Sequence, residues 1–87
     1  MAGDQSAAGG AAGVTRHLDA SGLTCPLPVL KARKLLIGMR PGEILEVVTT
    51  DPMSVVDMPV FCAQAGHRIV QEEKRAGDFV FVIERGT

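Results

Sequence analysis

Residues 23–50 read LTCPLPVLKARKLLIGMRPGEILEVVTT, and the punctuation of this stretch decides the fold. Pro26 and Pro28 stand in alternate positions. Two such prolines are excluded from a helix interior but fit its first turn, where backbone N–H groups have no partner inside the helix. From Pro26 to Met39 the spacing is helical, with Val29, Ala32, Leu35, Leu36, Ile37 and Met39 on one apolar arc. Arg40-Pro41-Gly42 stops it. Glu43–Thr50 is apolar and β-branched, the composition of a strand. One helix followed directly by one strand predicts half of a β-α-β unit.

Working outward, Val14–Asp19 (VTRHLD) alternates like an edge strand and supplies the missing first β element. Downstream, Asp51-Pro52 reads as an N-cap and first helical residue, and Gly66 as the end of a helix reaching about Ala65. Pro59 inside that helix predicts a kink, or a restart with Asp57 as a second cap. His67–Arg75, a turn at Ala76-Gly77-Asp78, and Phe79–Arg85 form a hairpin. Phe79–Ile83 is unbroken apolar, as expected for a central strand buried on both faces or one whose outer face meets a partner. The order is β-α-β-α-β-β. Right-handed crossovers then predict an α/β two-layer sandwich, a four-stranded mixed sheet with two helices on one face. The first three strands run parallel and the fourth runs back. The C-terminal ends of strands 1 and 2, both helix N-termini and the hairpin turn share one edge, where open α/β sheets place their sites.

Composition narrows the function. The 87 residues suffice for one small domain. With no Trp, no Tyr and three Phe, the core has to come from aliphatic side chains, and little remains to wall a deep catalytic cleft. Residues 1–13 (MAGDQSAAGGAAG) are mostly Ala and Gly and are expected to be a disordered leader before a single domain at 14–87. One acidic residue, Asp4, lies in that leader, so the rest is neutral overall and strong nucleic-acid binding is not expected. No apolar run could span a bilayer and no signal peptide is visible, so a cytoplasmic setting is expected. The two cysteines form neither a disulfide framework nor a zinc site. His17 and His67 lack ligand spacing, so no metal or other cofactor is expected.

Cys25 is the candidate reactive group. Read as the N-cap, its sulfur sits at the positive end of the helix dipole, with the Leu27 N–H as donor, and its thiol pKa is expected below the ordinary value. Pro26 and Pro28, with Gly22 in the preceding loop, shape the corner. His67 belongs to the far edge, and His17 shows no carboxylate partner beyond Asp19. An accessible nucleophile without a dedicated base suits sulfur transfer or thiol exchange better than acyl hydrolysis. The alternative is a cysteine that merely caps a helix. Cys62 falls on the apolar arc of the second helix with Val55, Met58 and Ala65, as a core residue. Leu27 projects away from the core on the same side as Lys31 and Lys34, a candidate partner-docking surface. Asp19, Asp51, Lys74 and Arg75 reach the Cys25 edge, where a cap, a strand-end carboxylate and a solvated hairpin are their ordinary roles.

The run LDASGLTCPLPVLKARK, followed by PGE, DP, DMPVFC and GH at matching distances, resembles the TusA/SirA-like sulfur-carrier family over about residues 18–85. The resemblance implies the same two-layer sandwich. It implies that Cys25 accepts a sulfane sulfur as a persulfide from a donor protein, a cysteine desulfurase or rhodanese, and relays it to an acceptor protein. Such a carrier is a monomeric shuttle with little turnover of its own, serving tRNA thiolation, cofactor sulfuration or sulfur oxidation. The second reading is a non-catalytic regulatory or interaction domain, RNA-binding included, with Cys25 structural.

Overall fold

The computed structural model describes residues 13–87. The expected leader at 1–13 lies outside the described residues except for Gly13. Six elements follow in the expected order: β1 (Val14–Ala20), α1 (Leu27–Ile37), β2 (Ile44–Thr49), α2 (Ser54–Ala65), β3 (Arg68–Lys74) and β4 (Phe79–Glu84). The sheet order is β1-β2-β4-β3. β1 and β2 are parallel, and β4 runs antiparallel to both β2 and β3.

The alternation of β2 explains how the layers meet. Leu45, Val47 and Thr49 are buried, and the intervening residues are half-buried. Leu45 and Val47 join Phe81 and Ile83 of β4, Ala32 and Leu36 of α1, and Met58 and Cys62 of α2 in one core. Fully burying a side chain such as Phe81 or Leu36 contributes roughly 2–3 kcal/mol. The β4 expectation holds: Val80 and Val82, on the face away from this core, are also buried. In register they are flanked by Val48 and Glu73, and by Glu46 and Gln71. Polar and charged pairs lie across neighbouring strands on that face. His17 Nδ1 meets Glu46 Oε1 at 2.8 Å, and Arg68 donates twice to Glu84 Oε1.

Several details depart from the sequence reading. α1 ends at Ile37, and Ile37 is 67% exposed, because the buried stripe is Pro28, Ala32 and Leu36, and Ile37 lies a quarter-turn off it beside Gly38. Met39 is buried, but from the loop after the helix. α2 buries the narrow stripe Ser54, Met58, Cys62, which leaves Val55 and Ala65 exposed on its flanks. α2 starts at Ser54, two residues later than Asp51-Pro52 suggested. The bonds from Ser54 N–H to the Asp51 carbonyl and Val55 N–H to the Pro52 carbonyl form a tighter turn leading in. Pro59 does not restart the helix, which is continuous to Ala65. Gly66 closes it at φ 82°, in the left-handed region that favours glycine.

Candidate functional site

The loop between β1 and α1 is tied to the ends of the two parallel strands. Ser21 N–H donates to Asp19 Oδ1 at 3.0 Å, and Leu23 N–H to the Ala20 carbonyl at 3.2 Å. Gly22 adopts φ 81°, a conformation costly for other residues, and donates its N–H to Thr50 Oγ1 across the loop at 2.8 Å. Cys25 N–H donates to Asp51 Oδ2 at 2.6 Å. The other oxygen of that carboxylate accepts Met53 N–H at 3.1 Å. One side chain thus ties the Cys25 corner to the turn that opens α2. Asp51 was expected only as a cap. Its bond to an amide 26 positions away has no local signal in the sequence.

Cys25 is exposed, and it is not the N-cap. Pro26 holds that position, the Cys25–Pro26 peptide is cis, and no side chain caps α1. The Leu27 N–H is taken by the Thr24 carbonyl at 2.8 Å, so it does not serve the sulfur. Pro28 occupies the second helical position and is fully buried, which anchors the corner to the core. The thiol pKa is raised, not lowered as the cap reading required. Asp57 is the main cause, because its carboxylate beside the thiol favours the protonated form. Desolvation and the charges of Asp57 and Asp51 act in the same direction. The helix dipole is outweighed because the sulfur stands one residue outside the helix and faces two carboxylates.

The sulfur opens onto a groove of about 380 Å³ between the two helices. Val29, Leu30, Val60 and Phe61 supply apolar walls, with Asp57 and Arg33 as its charged groups. Leu27 is exposed as expected, at 43%, and Lys31 and Lys34 are exposed beside it, but the groove itself runs past Leu30 and Arg33. Leu30 and Val60 are each 49% exposed, and the sequence reading did not mark them.

The remaining candidates separate. Cys62 is 2% exposed in the core, and burial pushes its thiol pKa up to about 11. His17 has a carboxylate partner after all, Glu46, which only strand register could reveal. His67 Nδ1 accepts Gly86 N–H at 2.9 Å, and burial, then the Arg85 charge, lowers its pKa. Arg75 pairs with Asp78 across the hairpin turn. Among the described residues, no group of three or more His, Cys, Asp and Glu side chains could hold a metal ion, and no helix is long and apolar enough to cross a membrane.

Fold and site together define a two-layer α/β domain that presents one accessible thiol at a proline-opened helix. Comparison with known proteins supports the fold and the family. The family described as Sulfurtransferase TusA matches residues 16–85. The chain is 44% identical over 70 residues to the sulfur carrier protein TusA of Allochromatium vinosum, covering 80% of this chain and 92% of that one. It is 38% identical over 68 residues to the sulfur carrier protein TusA of Pseudomonas aeruginosa, covering 78% and 86%. The crystal structure of a SirA-like protein from Desulfitobacterium hafniense superposes with a TM-score of 0.72 at 26% identity, covering 83% of this chain and 99% of that one. The chain belongs to the TusA sulfurtransferase family.

Proposed function

We propose that this protein is a sulfur carrier and that Cys25, within a carrier domain spanning residues 14–87, is the atom-bearing residue. The observation that carries the assignment is the contrast between its two thiols. Cys25 is exposed at the mouth of a groove, whereas Cys62 is buried in the core.

The chemistry is an exchange at divalent sulfur. The Cys25 sulfur attacks the terminal sulfur of a donor protein's persulfide. A Cys25–sulfur bond forms, the donor's sulfur–sulfur bond breaks, and the electron pair leaves on the donor thiolate, which takes up the proton. The sulfane sulfur keeps its oxidation state, so no external oxidant or reductant enters. An acceptor nucleophile then attacks the outer sulfur of the Cys25 persulfide and releases the Cys25 thiolate. Donor and acceptor proteins are therefore the partners.

The neighbouring carboxylates fit a shuttle that must survive between partners. Asp57 keeps the resting sulfur as a thiol, the less nucleophilic and less oxidisable form. A docked partner that brings positive charge to Asp57 and Asp51 frees the thiolate where it is needed. Docking falls to the ring around the sulfur, with Leu27 and Leu30 as apolar contacts and Lys31 and Lys34 steering.

Incubation with a persulfide donor should add the mass of one sulfur atom, removable by a thiol reductant. Cys25→Ser should abolish the adduct and Cys62→Ser should retain it. An adduct that persists in Cys25→Ser refutes the assignment.

A further inference from the structure

At the end of the groove remote from Cys25 lies a second cavity of about 220 Å³, below the usual size of an organic ligand site. Its lining includes Arg33 and Ile37 of α1, Ala65 of α2, His67 and Arg85. Arg33, His67 and Arg85 are the charged or titratable residues among those that line it, and no acidic residue does. Neither Arg33 nor Arg85 has an ion-pair partner among the described residues.

Two of these three residues are held in place, and Arg33 is exposed. Arg85 is part-buried, and its Nε donates to the Leu36 carbonyl at 2.8 Å, while Nη1 donates to the Gly86 carbonyl. The first bond occupies a carbonyl at the negative end of α1, which would otherwise oppose an anion there. Nη2 makes no bond within the chain among the described residues. Backbone bonds from Arg85 N–H to the Glu43 carbonyl and from Gly42 N–H to the Arg85 carbonyl, each 2.8 Å, fix the segment. His67 Nδ1 accepts Gly86 N–H, so the neutral ring carries its proton on Nε2 and remains a donor. Gly86 is required for this arrangement: a Cβ there would stand 1.7 Å from the Gly66 carbonyl oxygen.

We propose that this cavity, framed by Arg33, His67 and Arg85, is a binding site for a small tetrahedral oxoanion such as sulfate, phosphate or thiosulfate. The donors come from three separate segments, α1, the α2–β3 junction and the end of β4, which suits an anion with three accessible oxygens better than a two-oxygen carboxylate. The site does not depend on the carrier role of Cys25. It touches the Cys25 groove through Arg33, which lines both.

The test is an amide-shift titration of the isotope-labelled full chain with sodium sulfate, against sodium chloride at matched ionic strength. A saturable response centred on Ile37, Ala65, His67 and Arg85 is expected. Arg33→Gln, at an exposed position that leaves the core intact, should weaken it about five-fold. Sodium acetate should bind more weakly than sulfate. The proposal is overturned by no saturable response, by an unchanged affinity in Arg33→Gln, or by shifts spread over Lys31 and Lys34 that chloride reproduces. Acetate binding as tightly as sulfate would also overturn it, by showing a carboxylate site.

Discussion

Removal of the Asp51 carboxylate should loosen the reactive corner by a calculable amount. Its two oxygens accept one N–H each, from Cys25 at 2.6 Å and Met53 at 3.1 Å. The Met53 bond closes an Asx turn that leads into α2, and a hydrogen bond of this kind contributes about 1 kcal/mol. The Cys25 bond is short and charge-assisted, but the amide belongs to an exposed residue and water replaces part of it, so about 1 kcal/mol is appropriate there too. Asp51→Ala should therefore cost about 2 kcal/mol, which for a domain of this size lowers Tm by roughly 10 °C. Asp51→Asn retains one acceptor oxygen and should lose about half as much. Thermal melts followed by circular dichroism measure the first effect, and single-turnover sulfur transfer from a persulfide donor measures the second. Transfer should fall in Asp51→Ala even at temperatures where the variant is fully folded, because the corner is no longer held to α2. A Tm within about 2 °C of the parent would refute the reasoning, and would mean that the prolines alone position Cys25.

Three further predictions concern the sulfur and the surface around it. Asp57→Asn removes the group that most raises the Cys25 pKa; because the thiolate is the charged form, the pKa should fall, and the midpoint of the iodoacetamide rate against pH should move down from a value above the ordinary thiol range of about 8.5. A midpoint that does not move would show that Asp57 does not govern the thiol. Leu27→Glu and Leu30→Glu change exposed positions, so melts and Cys25 alkylation should be nearly unaffected while transfer between proteins drops sharply. Charge reversal at Lys31 and Lys34 should mainly slow association, by a margin that shrinks as salt rises. Normal transfer in both leucine variants would move the docking surface to the hairpin turn at Lys74–Asp78.

The order of elements was readable because its signals are local. Prolines 26 and 28, Arg40-Pro41-Gly42, Asp51-Pro52 and Gly66 each act on the backbone within a few residues, and the apolar periods between them differ for helix and strand. The central place of Phe79–Ile83 followed from its unbroken apolar run, and the burial of Cys62 from its phase on α2. Exposure of Leu27 and the approach of Cys25 to a helix start were readable for the same reason.

The chemistry around the sulfur was not local. The fine position of the helix start moved Cys25 from the cap to one residue before it, a shift that periodicity cannot resolve. That residue changes which N–H groups the sulfur meets, and the Leu27 amide goes to Thr24 instead. Asp51 and Asp57 reach Cys25 only because β1 and β2 pair in parallel and bring the openings of α1 and α2 together. The sign of the thiol shift therefore belongs to the tertiary structure. So do the His17–Glu46 pair, set by strand register, and the meeting of Arg33, His67 and Arg85. Backbone preferences act between neighbours along the chain, whereas the field at one atom sums over every charge that folding brings near it.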